Sequence, residues 1–448
     1  MLSVSSALLS TLLVSSFRFV LLLLFLRCDS TDSLTMSSAS ISDGPRFRVR
    51  TVTAFVNLAI SDFGGGDGTI GDAAVLTEKV ERCATLLSTM EKKVTDLGYE
   101  IQTVRIATNP FGEWLRKDSI DHQLRILDGL LEKHGIEFCS LGPATCIDDI
   151  LPYCLSIVAS SPRFSCSAIV DSVEAASTTA QCIVQISKLG EASADAPVFL
   201  KGGIGNFRFC GACSCKPFIP FFPAAKSAGE PSDGSIRFAM GLENGSLAQK
   251  LLAASVSIGN IPTIFRDGME EALAPLQTIC EETVKELPYC EFVGVDTSLN
   301  PSLDDGGSVA EAVEKLEEVR GPFGGPGTLA AAAAITTALQ SLPTSCGYSG
   351  LMLPVCEDQR LAELSPQLRI SNLLSISSVC GVGVDTVPVP GNVEEADLAS
   401  LLLDVAGLAK RWDKSLSCRV FPVPGKVAGE RTVFDSPYLC NSDVFDLS

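Results

Sequence analysis

Two hydrophobic patterns alternate along most of the chain: short apolar runs and longer segments with helical spacing. The run RFRVRTVTAFVNLAI (Arg46 to Ile60) alternates charged and apolar residues before it becomes largely apolar, which predicts a strand. The segment from Ala73 to Leu97 places Leu76, Val80 and Cys83 on one face, which predicts an amphipathic helix. The same alternation continues towards the C-terminal end of the chain.

Further strands are predicted on the same grounds, and most are separated by helical segments, among them Ser119 to His134 and Val309 to Val319. These strands are YEIQTVRIATNPF (Tyr99 to Phe111, ending in a polar turn), IEFCSLGP (Ile136 to Pro143), FSCSAIVDS (Phe164 to Ser172), IRFAMGLEN (Ile236 to Asn244), CEFVGVDTS (Cys290 to Ser298), GYSGLMLPV (Gly347 to Val355), GVGVDTVPV (Gly381 to Val389) and LSCRVFPVP (Leu416 to Pro424). The segment APVFLKGGIGNF (Ala196 to Phe207) is predicted to start as a strand and to run into a glycine-rich turn.

The order of these elements predicts the fold class. Near-continuous apolar strands joined by helices are typical of a parallel or mixed sheet that helices cover. Roughly ten strands are many for one open sheet, and no linker rich in Pro, Gly and Ser divides the chain. The sequence therefore predicts one large α/β domain over residues 46–448, a closed or nearly closed barrel. Ligands of such folds bind at the carboxyl ends of the strands, where this chain has its polar turns.

Residues 1–45 are predicted to lie outside this domain, as a leader and a polar tail. Residues 1–35 are rich in Ser and Leu and contain the apolar run FVLLLLFL (Phe19 to Leu26), flanked by arginines. A run of this length is typical of a signal-peptide core rather than of a spanning helix. Three alternatives stay open: a secretory or organellar targeting segment, a membrane anchor, and an over-extended start, with true initiation at Met36 and a cytoplasmic protein.

The composition narrows the classes of function. With 46% hydrophobic and 19% charged residues over 448 positions, the chain is an ordinary globular one. Its net charge of −19 repels phosphate backbones, and no basic run offsets that charge, so we expect no nucleic-acid partner. Most of the 17 cysteines stand in apolar runs, which indicates small buried side chains and a reducing compartment. His122 and His134 fall on one predicted helix, so neither a Ser-His-Asp triad nor a His-rich metal site is expected.

The sequence Val-Gly-Val-Asp-Thr occurs twice, each time at the end of a predicted strand. Asp296 with Thr297 and Asp385 with Thr386 would emerge at the carboxyl ends of two strands. Two carboxylates there could bind a cation, transfer protons or hold substrate hydroxyls. The structural alternative is an Asx-turn or a cap of the next helix.

Another acidic pair, Glu357 and Asp358, ends the apolar segment GYSGLMLPV and precedes a predicted helix. If the strands are neighbours, these carboxylates could join the two aspartates in one site. The alternative is that they stabilise the helix N-terminus through the macrodipole.

Candidate substrate-binding residues come from two further segments. Arg105 stands within an apolar strand and therefore needs a partner, either a substrate carboxylate or a structural ion pair, and Asn109 lies in the turn after it. Gly327 and Thr328 begin a predicted helix whose N-terminus could receive an anion, although the small residues that follow also suit close helix packing.

The loop from Lys201 to Ser227 combines glycines, prolines and several phenylalanines. Long loops are often functional, so we interpret this one as a lid whose aromatic rings cover a pocket, with Lys201 orienting substrate. Cys210, Cys213 and Cys215 have a metal-like spacing but lack a fourth ligand, and no metal is predicted there.

Several phrases, in order along the chain, resemble an uncharacterised family known as domain of unknown function 711, or UPF0210. They are RTVTAFVNL, GYEIQTVRIATNPF, PFFPAA, FAMGLE, GVDTSLNPSL, FGGPGTLAAA, GLMLPVCED and CGVGVDTVPVPGN, and the resemblance covers nearly all of Arg46 to Pro424. The resemblance implies a PFL-like barrel, the ten-stranded α/β fold of pyruvate formate-lyase and ribonucleotide reductase. It implies no function. Glycyl-radical chemistry is not expected, because Thr344 and Ser345 stand where the radical motif has Arg-Val.

The leading hypothesis is an enzyme that acts on a small polar or anionic metabolite by carboxylate-based acid–base or cation-assisted chemistry, with the cofactor left open. We expect a homo-oligomer and no stable membrane association of the barrel. The alternatives are a non-catalytic metabolite-binding or regulatory protein and a structural homo-oligomer. In the leading hypothesis four acids are catalytic and two cations orient the substrate: Asp296, Asp385, Glu357 and Asp358, with Arg105 and Lys201.

Overall fold

The computed structural model describes residues 47–64, 73–193, 195–229 and 234–447, so the predictions for residues 1–45 lie outside the described residues. In these ranges nine strands form one mixed sheet in a single large unit, which confirms the α/β class. The strands are β1 Arg48–Val56, β2 Ile101–Thr108, β3 Phe138–Ala144, β4 Phe164–Ile169, β5 Phe209–Cys213, β6 Ile236–Glu243, β7 Cys290–Asp296, β8 Gly383–Pro390 and β9 Leu416–Val423.

Helices separate most of these strands. They are α1 Ala74–Asp96, α2 Ile120–Lys133, α3 Ile147–Ser160, α4 Val173–Lys188, α5 Gly245–Ser255, α6 Ile261–Glu286, α7 Val309–Val313, α8 Thr328–Gln340, α9 Gln359–Leu364, α10 Ile370–Ser377 and α11 Glu395–Trp412. Helix α7 ends before the predicted Val319, because the N–H of Glu317 bonds to the carbonyl of Val256 at 2.9 Å and leaves the helical ladder. Within the described ranges, no helix combines the length and the apolar character needed to cross a membrane.

The strands run in both directions. Strands β1 to β5 are parallel neighbours, while β6 pairs antiparallel with β1 and β9 antiparallel with β5, so the order is β7-β6-β1-β2-β3-β4-β5-β9-β8. Carboxyl ends of strands therefore lie at both ends of the sheet, and not at one mouth. Isolated bridges from Val295 to Ser345 and from Pro354 to Asp385 link residues 345–354 to both edge strands. This arrangement fits a closed barrel of roughly ten strands.

The side chains of β1 divide between the two faces of the sheet, as the two-residue period of a strand requires. Val52, Ala54 and Val56 pack with the covering helices in the main hydrophobic core. Thr53 and Phe55 point to the opposite face, which we call the inner face. Each apolar side chain buried under the helices stabilises the fold by roughly 1.5–3 kcal/mol.

Residues 214–229, which we call the inner loop, lie against this inner face. The Thr53 hydroxyl donates a hydrogen bond to the carbonyl of Pro220 at 2.9 Å, and the Ser140 hydroxyl donates to the carbonyl of Ala225 at 2.8 Å. Hydroxyl groups of two strands thus satisfy main-chain carbonyls that would otherwise be buried without partners. The loop that was predicted as a lid is therefore held on the inner face by β1 and β3.

The strand predicted at the start of the segment from Ala196 to Phe207 is wrong, whereas the glycine-rich turn predicted after it is present. The segment forms irregular turns, because Gly202 and Gly203 adopt left-handed backbone angles, with φ of 65° and 81°. A Cβ atom at Gly203 would lie 2.3 Å from the carbonyl oxygen of Pro422, so only glycine fits this approach. The strand of this region, β5, begins at Phe209 instead.

The segment from Gly347 to Val355 was predicted as a strand but forms only isolated bridges, at Leu351 and Pro354. Gly347 and Ser349 have φ of 66° and 45°, which turn the backbone away from an extended path. The prediction of a continuous tenth strand is therefore wrong, although its position between the two edge strands is retained.

Candidate functional site

A pocket opens on the inner face of the sheet, beside the inner loop. The pocket is partly open to solvent. Three arginines in its lining stand on three different strands, Arg50 on β1, Arg105 on β2 and Arg419 on β9. Glu357 and Asp385 also line the pocket, so charges of both signs meet at a largely buried position.

Carboxylates neutralise two of these arginines. Glu357 bridges them: its Oε2 accepts a hydrogen bond from Arg50 at 2.6 Å and its Oε1 accepts one from Arg419 at 2.8 Å. Arg50 also binds Glu243 at 2.5 Å, and Arg419 binds both oxygens of Asp385, at 2.6 and 3.0 Å. Burial lowers the pKa of each guanidinium, but these carboxylates outweigh it and raise the pKa of both arginines.

The contacts of Arg105 differ from those of Arg50 and Arg419. It is only 8% exposed, and it forms no salt bridge with any described residue. The rings of Phe138 and Phe222 lie 5.3 and 5.0 Å from its guanidinium carbon, and its Nε donates a hydrogen bond to the hydroxyl of Thr103 at 2.8 Å. Burial, followed by the nearby charge of Arg50, lowers the pKa of Arg105 to about 9. Arg105 is thus a buried cation without an anionic partner.

Two irregularities in the strands place charged side chains in the pocket. The pairing of β1 with β6 shifts around Arg50, and the pairing of β8 with β9 shifts around Asp385 and Thr386. Such bulges redirect side chains and occur often beside active sites. Thr386 also has φ of 45°, a strained value for a β-branched residue that costs roughly 1–3 kcal/mol and is characteristic of functional positions.

Aromatic side chains form another part of the wall. Tyr438, from the segment after β9, stacks on Phe207 with ring centroids 6.1 Å apart and meets Phe138 edge-on at 6.2 Å. Tyr348 lines the pocket as well, and burial raises the pKa of its phenol well above the usual range. The Tyr348 hydroxyl therefore keeps its proton at physiological pH and can serve as a donor.

The structure brings Arg105, Glu357 and Asp385 together in the pocket, and these are three of the residues that the sequence singles out. The other two predicted acids, Asp296 and Asp358, lie outside its lining. The described geometry thus separates the two Val-Gly-Val-Asp-Thr turns: one aspartate faces the pocket and the other does not.

Asp296 is fully buried and holds the backbone of the neighbouring segment. Its carboxylate accepts hydrogen bonds from the N–H groups of Tyr348 at 2.8 Å and Ser349 at 3.0 Å, and from the hydroxyl of Ser298 at 2.6 Å. Burial outweighs these hydrogen bonds and raises the pKa of Asp296. The geometry is that of an Asx-type turn.

Asp358 caps a helix. Its carboxylate accepts hydrogen bonds from the N–H groups of Arg360 at 2.9 Å and Leu361 at 3.2 Å, at the start of α9. It also accepts a hydrogen bond from the hydroxyl of Ser308 at 2.6 Å, just before α7. Asp358 therefore ties two helix N-termini together.

The two predicted threonines are buried and bonded to the chain itself. The Thr297 hydroxyl donates to the carbonyl of Leu339 at 3.1 Å. The Thr386 hydroxyl accepts a hydrogen bond from the N–H of Cys356 at 3.2 Å. Neither lies in the pocket lining, although Thr386 fixes the backbone beside Asp385.

The remaining predicted residues lie elsewhere. Asn109 bonds to both main-chain groups of Leu58, at 2.7 and 3.1 Å, and joins the ends of β1 and β2. Lys201 is exposed on the irregular segment before β5. Gly327 and Thr328 begin α8, where Gly327 has φ of 95° and Thr328 is buried. None of these residues lines the pocket.

Arg50, Arg419 and Phe138 were not predicted from the sequence. Arg419 stands in the apolar strand LSCRVFPV, so the criterion that singled out Arg105 would also have found it. Arg50 follows a strand start that alternates charged and apolar residues, and only the bulge turns it inward. Phe138 has no distinguishing sequence feature, whereas Phe222 belongs to the loop whose aromatic rings were predicted to cover a pocket.

The cysteines of the described residues are unpaired, and most are buried. Burial raises the pKa of Cys215 to about 11 and raises that of Cys210 and Cys213 further. In the part of the chain that the structure describes, no group of three or more His, Cys, Asp or Glu side chains is arranged to hold a metal ion.

Comparison with known proteins places the chain in a family. A family model described as "Uncharacterised ACR (DUF711)" matches residues 43–436. The chain belongs to the DUF711 family. This membership confirms the resemblance drawn from the sequence phrases, and the family's description carries no activity.

Some relatives of this DUF711 protein match over most of its length and others over a shorter segment. A UPF0210 protein of Pyrobaculum islandicum is 27% identical over 406 residues, covering 84% of this chain and 86% of the relative. A UPF0210 protein of Oenococcus oeni is 26% identical over 405 residues, covering 87% and 88%. A UPF0210 protein of Lactiplantibacillus plantarum is 31% identical over 200 residues, covering 39% and 44%.

Proposed function

We propose that this DUF711 protein is an enzyme that acts on a small anionic metabolite, with Arg105 as the group that binds the anion. The observation that carries the proposal is the state of Arg105: buried, enclosed by two phenyl rings, facing a pocket and without a carboxylate partner among the described residues. A buried charge without a partner destabilises the folded protein. Proteins retain such a charge where a bound ligand supplies the opposite charge.

The geometry of Arg105 limits how an anion can approach. Phe138 and Phe222 cover the faces of the guanidinium, and Thr103 occupies its Nε–H. The terminal N–H groups remain for a ligand, and they lie in the plane of the guanidinium. Two parallel hydrogen bonds to a planar oxyanion such as a carboxylate match this arrangement.

Proton transfer would fall to Glu357 and Asp385, which line the same pocket. All four oxygens of the two carboxylates accept hydrogen bonds from Arg50 or Arg419. An anion that draws on those guanidinium groups would free a carboxylate oxygen to take a proton. Tyr348, as a neutral phenol, would donate a hydrogen bond to the ligand without losing its proton.

The binding step is tested by thermal unfolding of the full chain against a panel of carboxylates, phosphate esters and sulfonates. We expect a subset of anions to raise the melting temperature of the wild type and to leave that of Arg105→Met unchanged. The matched control is Arg116→Met, because Arg116 is partly exposed and lies outside the pocket. An equal response of the wild type and Arg105→Met to every anion would contradict the proposal.

A non-catalytic binding protein is the second candidate, and the full engagement of Glu357 and Asp385 by arginines favours it. The two candidates differ in proton exchange. Each anion that binds is incubated with the protein in D₂O, and deuterium uptake at carbon is followed by NMR. An enzyme that moves a proton to or from a carbon of the ligand incorporates deuterium there, and Glu357→Gln loses that exchange but keeps binding. A binding protein shows no exchange above the protein-free rate.

A further inference from the structure

The lining of the pocket indicates further properties of the ligand, beyond its negative charge. Its uncharged lining is mostly apolar or aromatic and includes Phe207, Phe221, Met352, Val382 and Tyr438. A small, wholly polar anion would leave these surfaces in contact with water. A ligand with an apolar body would bury them, and burial of apolar surface is favourable.

The contacts of the lining arginines limit the number of anionic groups that the ligand can place in the pocket. Arg50 and Arg419 are paired with Glu243, Glu357 and Asp385, and Arg163 is paired with Asp128 and Glu132. Arg208 makes no salt bridge with any described residue, but its terminal nitrogens donate to main-chain carbonyls. Among the described residues of the lining, Arg105 is therefore the arginine whose terminal nitrogens make no hydrogen bond or salt bridge. One carboxylate matches this guanidinium, and a second carboxylate on the ligand would be buried without a guanidinium of its own.

Ser165 supplies a second polar contact. It lines the pocket and is 4% exposed, and its hydroxyl has no hydrogen-bond partner among the described residues. Its register partner on β3, Ser140, differs, since that hydroxyl already bonds to the inner loop. A buried hydroxyl without a partner costs free energy, which a ligand oxygen beside it would recover.

The positions of Arg105 and Ser165 set the separation of the two polar groups on the ligand. Arg105 pairs with Phe138 on β3, and Ser140, two residues further along β3, pairs with Ser165 on β4. The four side chains therefore share the inner face. One strand separates β2 from β4, and neighbouring strands are about 4.8 Å apart, so the two backbones lie about 10 Å apart. The two polar contacts belong at opposite ends of a ligand, and not on adjacent atoms.

We infer that the ligand is an elongated monocarboxylate with an apolar body and with a hydroxyl or carbonyl oxygen at the end opposite the carboxylate. The carboxylate binds Arg105, the body packs on the aromatic wall, and the distal oxygen bonds to Ser165. This inference rests on the proposed function and specifies the ligand of the same site. Ser165 is a specificity-determining residue in this arrangement.

The test is isothermal titration calorimetry of the full chain with four probes. 4-Hydroxyphenylacetate has all three features, phenylacetate lacks the distal hydroxyl, 2-(4-hydroxyphenyl)ethanol lacks the carboxylate, and 1,4-phenylenediacetate is a dianion of similar length. We expect 4-hydroxyphenylacetate to bind about fivefold more tightly than phenylacetate, the worth of one hydrogen bond. The dianion should bind at least about tenfold more weakly, and the alcohol should give no measurable heat.

The variant Ser165→Ala tests the hydrogen bond of the Ser165 hydroxyl separately from the other contacts of the ligand. It should bind both arylacetates with the affinity that the wild type has for phenylacetate. Equal wild-type affinity for the two arylacetates, no effect of Ser165→Ala, or preference for the dianion would overturn the inference. If no probe binds while other anions still stabilise the protein through Arg105, this ligand class is wrong and the proposed function stands. If no anion depends on Arg105, both are wrong.

Discussion

Arg419 binds Asp385 through two parallel hydrogen bonds, from Nε to Oδ1 at 2.6 Å and from Nη2 to Oδ2 at 3.0 Å. The pair joins the neighbouring strands β8 and β9 at the bulge that places Asp385 in the pocket. Arg419 also binds Glu357 at 2.8 Å, so one side chain organises both acids of the candidate site. The charged wall of the pocket depends on this arginine.

Removing Arg419 should therefore destabilise the protein strongly. Arg419→Met leaves Glu357 and Asp385 partly without counter-charges in a buried position, which costs about 3–5 kcal/mol of the free energy of unfolding. Urea unfolding followed by circular dichroism measures the change. The matched control, Arg116→Met, removes an exposed pair with Asp118 and should cost less than about 1 kcal/mol. Similar losses in both variants would contradict the description of the network.

Asp296 is expected to have a structural role. Asp296→Asn replaces an acceptor of backbone hydrogen bonds by a group whose NH₂ would face the same N–H donors. We predict a loss of about 1–3 kcal/mol in the free energy of unfolding, with anion binding retained. Asp305→Asn, at an exposed position, is the control and should change stability by less than about 0.5 kcal/mol. If Asp296→Asn keeps full stability but abolishes anion binding, Asp296 belongs to the site.

The rate of thiol alkylation should differ between exposed and buried cysteines. Cys146 is exposed, whereas Cys83 and Cys139 are buried in the core and burial raises the pKa of both thiols. The reactive form is the thiolate, so native alkylation at neutral pH should modify Cys146 at least about tenfold faster than Cys83 or Cys139. Peptide mapping by mass spectrometry follows each site. Rapid labelling of Cys83 and Cys139 in the folded protein would show that the core is not closed around them.

Anion affinity should depend on the charge of Arg105. Its pKa is lowered to about 9, so the guanidinium is charged at lower pH and loses its proton as the pH rises through that value. Phenylacetate is the probe for this test, because its carboxylate stays ionised over the whole range and it has no phenol. We predict constant affinity for phenylacetate between about pH 6 and 8, and a fall of about tenfold per pH unit above about 9. The sign for stability is opposite: without ligand, the folded state holds this proton less tightly than the unfolded chain, so the contribution of Arg105 to stability rises with pH in the same window. Calorimetry across this range, with circular dichroism to verify folding, measures the first effect. Affinity that increases above pH 9 would exclude Arg105 as the anion-binding cation.

The two Val-Gly-Val-Asp-Thr turns show how far the sequence predicts the site. The glycines are equivalent: Gly294 and Gly383 have φ of 150° and 101°, and a Cβ atom on either would collide with a neighbouring carbonyl oxygen. The aspartates are not equivalent. β7 ends at Asp296, whereas β8 continues past Asp385, next to the arginine of β9. The motif predicts a local conformation, and the neighbouring strand decides the chemistry.

More of the fold than of the site could be predicted from the sequence. Periodicity alone predicted the α/β class and most elements, because the apolar faces of strands and helices repeat along the sequence. It failed at the start of the segment from Ala196 to Phe207, where a strand was predicted and irregular turns form. The pocket depends on long-range pairing and on the two bulges around Arg50 and Asp385, and neither of these leaves a periodic trace. Three residues of the pocket were predicted from the sequence: Arg105, because an arginine in an apolar strand needs a partner, and Glu357 and Asp385, because each follows an apolar segment.

The most direct test of the account is the free energy of unfolding of Arg105→Met in anion-free buffer. Met fills the space between Phe138 and Phe222 without the cost of an unpaired buried charge, so the variant should be as stable as the wild type within about 1 kcal/mol, or more stable. Its response to anions should be lost at the same time. A loss of about 3 kcal/mol or more, comparable to that of Arg419→Met, would show that Arg105 is a structural residue and would contradict the anion site.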